Sequence, residues 1–317
     1  MQTTLAGRLR CRIFLPNQSE VTFEKREFYA PDPERQANLE NVGTKFLEGF
    51  AYGMAGRSLP GIESSLEMIE PTFRGFAYEG CSMALAVRDG IALANRHWVR
   101  DLLAGRGSAH IYMAYLGVGW AMARLPRIRW RAIAPRDPLL RWLALDGYGF
   151  HQAYFRTKKY VEGQYQAPIP GWPPGYANRA ADQGIGRALW FVSGSDVAHV
   201  ADTIGKFAPS RRADLWSGAA LASVYAGGAD AGELEEMTQL AGPYRSHAAQ
   251  GAAFAAGARV LAGLVTPGTE LGVKVHCGMS AAEAAAITDE ARLGLPEAGG
   301  AVPAYELWRE RIRKRFA

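Results

Sequence analysis

Leu145-Asp146-Gly147-Tyr148-Gly149-Phe150 is the segment from which we predict the fold, because two similar segments occur elsewhere in the chain. In each, an acidic or amide residue precedes a glycine and aromatic side chains follow. A lone glycine inside a helix costs about 1 kcal/mol relative to alanine. Its recurrence at matched places therefore indicates that neighbouring helices approach closely. The other two segments are Leu47-Glu48-Gly49-Phe50-Ala51-Tyr52 and Ala249-Gln250-Gly251-Ala252-Ala253-Phe254.

The residues around these segments repeat as well. Glu79-Gly80 matches Gln183-Gly184, and Ala109-His110-Ile111-Tyr112 matches Ala213-Asp214-Leu215-Trp216, in both cases 104 positions later. A fixed spacing across separate blocks is typical of repeated supersecondary units. We therefore expect a mainly α, multi-helical fold with internally duplicated helical units and a shorter third copy.

The predicted boundaries follow from this repeat. Residues 1–40 form a polar N-terminal arm, and residues 41–317 form a single helical-repeat domain. Its units cover about 46–125, 143–235 and 247–292, and a C-terminal helix covers about 304–316. Minor β structure at most is expected, with candidate strands at 21–28 and 127–134 because these segments contain alternating or β-favouring residues.

The amino-acid composition limits the classes of function that we expect for this protein. The chain of 317 residues is 48% hydrophobic and carries a formal charge of +5, which suits an ordinary globular core. No basic block interleaved with aromatic residues is present, so nucleic acid is not an expected partner. Three cysteines without a CxxC pair predict a reducing, cytoplasmic location. No apolar run reaches the roughly 20 residues that a membrane-spanning helix needs.

The sequence lacks a complete dinucleotide-binding fingerprint and the common metal-binding motifs. Gly117-Val118-Gly119 resembles part of a dinucleotide fingerprint, but Met122 stands where a third small residue is needed, and the preceding run predicts a helix. The sequence contains no HExxH, no ExxH pair and no cysteine–histidine cluster. We therefore predict no metal ligands, and the cofactor is unknown.

Buried-looking acids and histidines are the candidate catalytic residues. A carboxylate inside an apolar helix is costly unless it is paired or protonated, and a histidine can exchange a proton near neutral pH. Two interpretations stay open: internal arginine–carboxylate pairs, or a polar patch within an apolar pocket. If the acids are paired, the arginines nearest in sequence are the expected partners. Arg74 would pair with Glu79, Arg179 or Arg187 with Asp182, and Arg212 with Asp214. The candidate catalytic residues are His110, His151, Asp146, Asp182 and Asp214.

Aromatic residues are concentrated in the same segments. Most belong to a core, but a few could line a tunnel for a long, flat, conjugated ligand. The candidate substrate-binding residues are Glu79, Arg179, Arg187, Tyr112, Tyr148, Phe150, Trp190 and Trp216.

Several longer motifs resemble a known bacterial family. They are Arg74-Gly75-Phe76-Ala77-Tyr78-Glu79-Gly80, His110 to Trp120, Asp146-Gly147-Tyr148-Gly149-Phe150-His151, Asp182-Gln183-Gly184-Ile185-Gly186-Arg187, Arg211-Arg212-Ala213-Asp214-Leu215-Trp216 and Tyr305-Glu306-Leu307-Trp308-Arg309. In this order they are similar to the UnbL-type enediyne biosynthesis proteins, a family built on domain of unknown function 1702. The resemblance covers nearly the whole chain from about residue 20.

The resemblance implies a pathway rather than a mechanism. Such proteins are encoded beside the polyketide synthase that makes the polyene precursor of enediyne antibiotics, together with UnbV-like and UnbU-like proteins. It implies a hydrophobic polyene as the small-molecule partner, and a cytoplasmic location, peripheral to the membrane if the UnbU-like membrane protein is a partner. The family has no established catalytic residues to transfer.

Two classes of function follow from these expectations. As an enzyme, the chain would help convert the polyene to the enediyne core, either passing electrons to a partner or an unrecognised metal, or by cofactor-free isomerisation or cyclisation. As a non-catalytic subunit, it would carry the polyene and dock on neighbouring pathway proteins.

Overall fold

In the computed structural model, residues 5–92, 97–296 and 302–317 are described. No strand occurs within these ranges. The helices are α1 (Leu5–Phe14), α2 (Phe23–Arg26), α3 (Pro33–Ala55), α4 (Leu59–Leu66), α5 (Pro71–Ile91), α6 (Trp98–Leu103), α7 (Ile111–Arg124), α8 (Trp130–Ile133), α9 (Leu143–Phe155), α10 (Tyr176–Val192), α11 (Val197–Lys206), α12 (Pro209–Ala226), α13 (Ala231–Leu240), α14 (Arg245–Leu261), α15 (Pro267–Cys277), α16 (Ala281–Arg292) and α17 (Ala304–Arg313).

The mainly α prediction is confirmed, but both candidate strands are wrong. The first segment contains a 3₁₀ turn at Gln18–Val21 followed by α2, and the second contains a 3₁₀ turn at Arg127–Arg129 followed by α8. Each segment is short, and its apolar residues pack as single helical turns against the other helices. Alternation over so few residues does not separate a strand from two short turns.

Local sequence signals set several helix starts. Asp32 caps α3 by accepting hydrogen bonds from the amides of Glu34 and Arg35, and Pro33 occupies the first turn, where its missing N–H has no cost. Ser280 and Glu283 form a reciprocal capping box at the start of α16. The 1–40 segment predicted as an arm therefore contains α1, α2 and the start of α3, and its first four residues lie outside the described ranges.

The central architecture is a row of helices in which each packs on the next. The order is α3, α5, α7, α9, α10, α12, α14 and α16. In α9, a methyl group at Gly147 would overlap the backbone of Leu116 in α7, and one at Gly149 would overlap the backbone of Ala181 in α10. Glycine is therefore required on both sides of α9 for these helix–helix distances.

The same pair of small residues, two positions apart, recurs along the row. In α10, Gly184 contacts Asp146 of α9 and Gly186 contacts Leu215 of α12. Consecutive helical residues are about 100° apart, so positions i and i+2 face nearly opposite directions. Each helix consequently has one neighbour on either side, which produces a row. The other pairs are Gly80 and Ser82 in α5, Gly117 and Gly119 in α7, and Gly218 and Ala220 in α12.

The residues that bracket each small pair share one face of their helix. They are four positions apart, hence about 40° apart around the axis. In α9 these residues are Asp146 and Phe150, and in α10 they are Gln183 and Arg187. All four are buried. The row curves so that these faces point inward, because residues of six successive helices surround one central cavity.

The structure corrects the register of the sequence repeat. Gly49 was aligned with Gly147, but Gly49 contacts Ala77 of the following helix, as Gly149 contacts Ala181. Gly147 instead contacts the preceding helix, as Gly251 contacts Ser217. Gly49 therefore corresponds to Gly149 in its packing. Duplication of the larger units stays a prediction.

The predicted C-terminal helix completes the inward face. Tyr305, Trp308 and Ile312 of α17 are buried, and their spacing of three and four residues places them on one face of the helix. The Trp308 indole donates a hydrogen bond to the carbonyl of Thr288 in α16 at 2.7 Å. α17 also contacts α14. It therefore fixes the last helices of the row to each other.

Candidate functional site

A small cavity lies on the inward face of the row. It measures about 50 Å³ and is lined by residues of α3, α5, α7, α9, α10 and α12. A space of this size holds a few water molecules. Its walls are mostly aliphatic or aromatic, among them Phe46, Phe76, Met83, Met113, Phe150, Phe191, Leu221 and Ala222.

Glu79 is an acidic side chain at this cavity, and its surroundings shift its pKa. It is 2% exposed, and its Oε1 makes no hydrogen bond. Burial raises the pKa of Glu79 to about 7, while the positive charge of Arg187 opposes the rise. The nearest Arg187 nitrogen is 3.8 Å from Oε1, beyond hydrogen-bond range. Glu79 can thus hold or release a proton near neutral pH.

His151 and Trp120 line the same cavity and also have unused polar atoms. Neither ring nitrogen of His151 makes a hydrogen bond of standard geometry, and neither does the indole nitrogen of Trp120, although Trp120 lies close enough to Glu79 to oppose the rise in its pKa. The two rings meet edge to face, with centroids 5.5 Å apart. Burial lowers the pKa of His151 to about 3, so the imidazole is neutral at physiological pH. Buried polar atoms without partners are uncommon in proteins, and three residues with such atoms, Glu79, His151 and Trp120, line this cavity.

A buried polar network leads away from Arg187. Arg187 forms an ion pair with Asp146 at 2.7 Å, and the Gln183 amide donates to the other oxygen of Asp146 at 2.7 Å. The Ser217 hydroxyl lies 3.4 Å from the side-chain oxygen of Gln183 and 3.1 Å from that of Gln250, and it can donate its one proton to either of them. These residues, except Arg187, directly precede the first small residue in their helices. The small-residue pattern that sets the helix packing therefore also determines where the side chains of this network lie.

The network continues into a cluster of charges at α17. Arg309 is fully buried and lies 2.8 Å from Asp214. Its Nε donates to Gln250 at 3.1 Å. Arg179 bonds to both Asp214 and Glu306. Burial raises the pKa of Glu306, but its arginine neighbours outweigh that effect and lower the value to about 2. Ion pairs in this cluster connect α10, α12 and α17, and the neutral amide of Gln250 adds α14.

A comparison with protein families gives a match that spans almost the whole chain. A family model described as "Protein of unknown function (DUF1702)" matches residues 5–316. The chain belongs to this family. No curated protein and no solved structure gives a significant match.

For this DUF1702 chain, neither a membrane span nor a metal cluster is found in the described residues. None of the helices there is both long enough and apolar enough to cross a bilayer. No three or more His, Cys, Asp or Glu side chains converge there in a way that could bind a metal ion.

The structure brings only some of the sequence candidates to the DUF1702 cavity. His151, Phe150, Glu79 and Arg187 line it. Asp146 lies behind it, bonded to Arg187. Asp146 and Tyr112 line a second, neighbouring cavity of about 40 Å³.

The other candidates lie elsewhere. His110 stacks on Tyr78 with centroids 3.9 Å apart and does not line the central cavity. Asp182 and Tyr148 face a separate cleft, while Asp214 and Arg179 belong to the α17 cluster. Two tryptophans are core residues: Trp190, whose indole donates to the carbonyl of Gly227, and Trp216, which is 4% exposed.

Several lining residues were missed by the sequence argument. Trp120 and Met113 are examples. One signal could have identified Trp120: it directly follows Gly119, as Phe150 follows Gly149 and Arg187 follows Gly186. The residue after the second small position therefore points to the cavity in three successive helices.

Proposed function

We propose that this protein acts in enediyne natural-product biosynthesis by binding a hydrophobic polyene intermediate on the inward face of the helix row and assisting its conversion to the enediyne core. The observation that carries the proposal is the central cavity, whose apolar walls contain the unpartnered polar atoms of Glu79, His151 and Trp120. Apolar pockets with a few convergent polar groups are the usual form of small-molecule sites. The family resemblance supplies the pathway.

Binding an elongated ligand would require the lining side chains to move. The central cavity and its neighbour share Met113, Leu221 and Tyr225. Rotation of these side chains would join two small cavities into one apolar channel through the molecule. Methionine adapts readily to such changes, because its unbranched chain has three rotatable bonds. We therefore place the polyene along this channel.

Within the channel, Glu79 is the proposed proton-transfer group, and the neutral imidazole of His151 is the proposed hydrogen-bonding group beside it. A carboxyl group with a pKa near 7 can return a proton to one carbon of a conjugated chain after removing one from another. Such an isomerisation needs no net oxidation and no cofactor. Arg187 would stabilise the carboxylate while the proton is on the ligand.

The alternative is a non-catalytic carrier or assembly subunit that docks on the neighbouring pathway proteins. One observation favours it: Asp146, Asp182 and Asp214 are each ion-paired with arginine. These pairs occupy carboxylate oxygens that a ligand would otherwise contact, so the three aspartates hold helices together and are not free to act on a bound polyene. The two alternatives share the same polyene site and differ in whether the bound polyene changes.

Binding can be measured with cis-parinaric acid, a fluorescent conjugated polyene. We expect saturable binding to the wild-type protein and much weaker binding to Ala222→Phe, because Ala222 lines the cavity and is buried. Ala6→Phe makes the same change on the exposed side of α1 and is the matched control. Equal binding by all three proteins would contradict the proposed site.

Catalysis is tested with the natural pathway. In a bacterium that makes an enediyne, Glu79→Gln and His151→Gln should abolish the product while the purified variants still bind cis-parinaric acid. Normal production by both variants would exclude these groups as catalysts and favour the carrier.

A further inference from the structure

A cleft distinct from both cavities lies on the opposite side of α9 from the central cavity. It has a volume of about 260 Å³ and is formed by α9, α10, the segment after α9 and the proline-rich loop 165–176. Tyr148 and Gln152 of α9 face this cleft, whereas Phe150 and His151 face the central cavity. The two spaces therefore have different walls and are independent sites.

The wall beyond α9 has an unusual backbone. Lys158–Glu162 forms a single π-helical turn, and Gln164 has a positive φ of 48°. Isolated π-helical turns are rare and often occur at functional sites, and a non-glycine residue with positive φ is strained. The Gln164 carbonyl accepts a hydrogen bond from Arg211 at 2.9 Å. This contact holds the strained segment against α12.

The cleft carries an excess of positive charge. Four basic side chains and one carboxylate line it. The carboxylate, Asp182, is already paired with Arg211. The other three cations, Arg127, Arg156 and Lys159, make no ion pair within the described part of the chain. Unpaired cations around a concave surface attract anions.

Aromatic and amide groups complete the wall. Gln152 is 4% exposed, and its amide nitrogen donates to the hydroxyls of Tyr148 and Tyr160 at 2.8 and 3.1 Å. Its Oε1 has no partner. Whichever way the amide is oriented, one of its two polar atoms lacks a partner. The Lys159 ammonium lies 3.8 Å from the ring centroid of Tyr165.

We propose that this cleft binds an organic anion, a carboxylate or a phosphate ester attached to a planar body. Arg127, Arg156 and Lys159 bind the anionic group, and the planar body packs against the tyrosines. Gln152 positions this wall by donating hydrogen bonds to Tyr148 and Tyr160. This site does not depend on the proposed polyene channel, because it shares no lining side chain with the central cavity.

Isothermal titration with benzoate and phenyl phosphate tests the site. We expect one of the two to bind to wild-type protein at one site per chain. The double variant Arg156→Gln/Lys159→Gln should bind about tenfold or more weakly, because two charged contacts are lost. The tighter of the two probes identifies the anion class. No binding of either probe to wild-type protein would overturn the proposal.

Two controls separate recognition from general charge effects. Lys25→Gln/Arg57→Gln removes two exposed cations that do not line the cleft and should bind like wild type. Equal weakening in this control would overturn the site. Inorganic phosphate should bind more weakly than the organic probe. Equal affinity would show that the tyrosine wall contributes nothing, which also contradicts the proposal.

Discussion

At Glu79, burial opposes ionisation more strongly than Arg187 favours it. The folded protein therefore binds a proton more tightly than the unfolded chain, in which the pKa is 4.5. A raised folded-state pKa contributes stability below pH 4.5, and this contribution is lost as the pH rises through about 7. Glu79 thus links the charge of the proposed site to the stability of the fold.

Glu79→Gln should remove this pH dependence. Between about pH 4.5 and pH 8, the wild-type free energy of unfolding should lose up to about 3 kcal/mol that the variant does not lose. Urea unfolding of both proteins across this range measures the difference. His151 acts in the opposite direction below pH 6.5, because burial lowers its pKa, and comparing the two proteins cancels that term. Parallel pH profiles would contradict the raised pKa of Glu79.

The arginine partners show what the sequence could and could not predict at this scale. Buried acids paired with arginines were one interpretation, and Asp146, Asp182 and Asp214 are paired. The four pairs formed with the arginines nearest in sequence do not occur. Arg74 pairs with Glu67, and Arg212 donates to the backbone carbonyls of Phe207 and Gly205 at the end of α11. The true partners lie across helix interfaces, so they depend on the packing order and not on spacing.

At the scale of the helix, the pair of small residues sets the distance between neighbours. The sequence predicts this role for glycine but matches Gly49 with Gly147 instead of Gly149, because a glycine that faces the preceding helix and one that faces the following helix look alike in sequence. Only the contacts of Gly49 with Ala77 and of Gly147 with Leu116 distinguish them. The inward-facing residues could have been predicted once the pair was recognised in α7, α9 and α10.

Gly149→Ala should destabilise the protein by about 1–3 kcal/mol or more. Its new methyl group would overlap the backbone of Ala181, and two packed helices cannot separate without losing contacts elsewhere. Thermal or urea unfolding measures the effect.

Gly205→Ala in α11 is the matched control. A methyl group there meets nothing within 4 Å, so replacing a helical glycine should stabilise the protein by up to about 1 kcal/mol. If both variants were equally stable, close helix approach would not explain the glycine pairs.

At the scale of the whole molecule, the buried polar network connects the central cavity to the C-terminal helix. Arg309 is the point where α17 joins it: the guanidinium bonds to Gln250 of α14 and lies against Asp214 of α12. Removing one member of a buried charge cluster leaves the others without compensation. The sequence predicts a C-terminal helix but not the role of Arg309, because the partners of Arg309 come from helices far away in the chain.

Arg309→Met should therefore lower the free energy of unfolding by about 3–5 kcal/mol. Methionine fills much of the space left by arginine, so the loss would arise from the uncompensated charge of Asp214 rather than from a cavity. Arg315→Met removes an exposed pair with Glu290 and should cost less than about 1 kcal/mol. Urea unfolding of both variants distinguishes the two cases. If Arg309→Met were as stable as wild type, Arg179 alone would neutralise Asp214, and α17 would be held by Tyr305, Trp308 and Ile312 without help from the network.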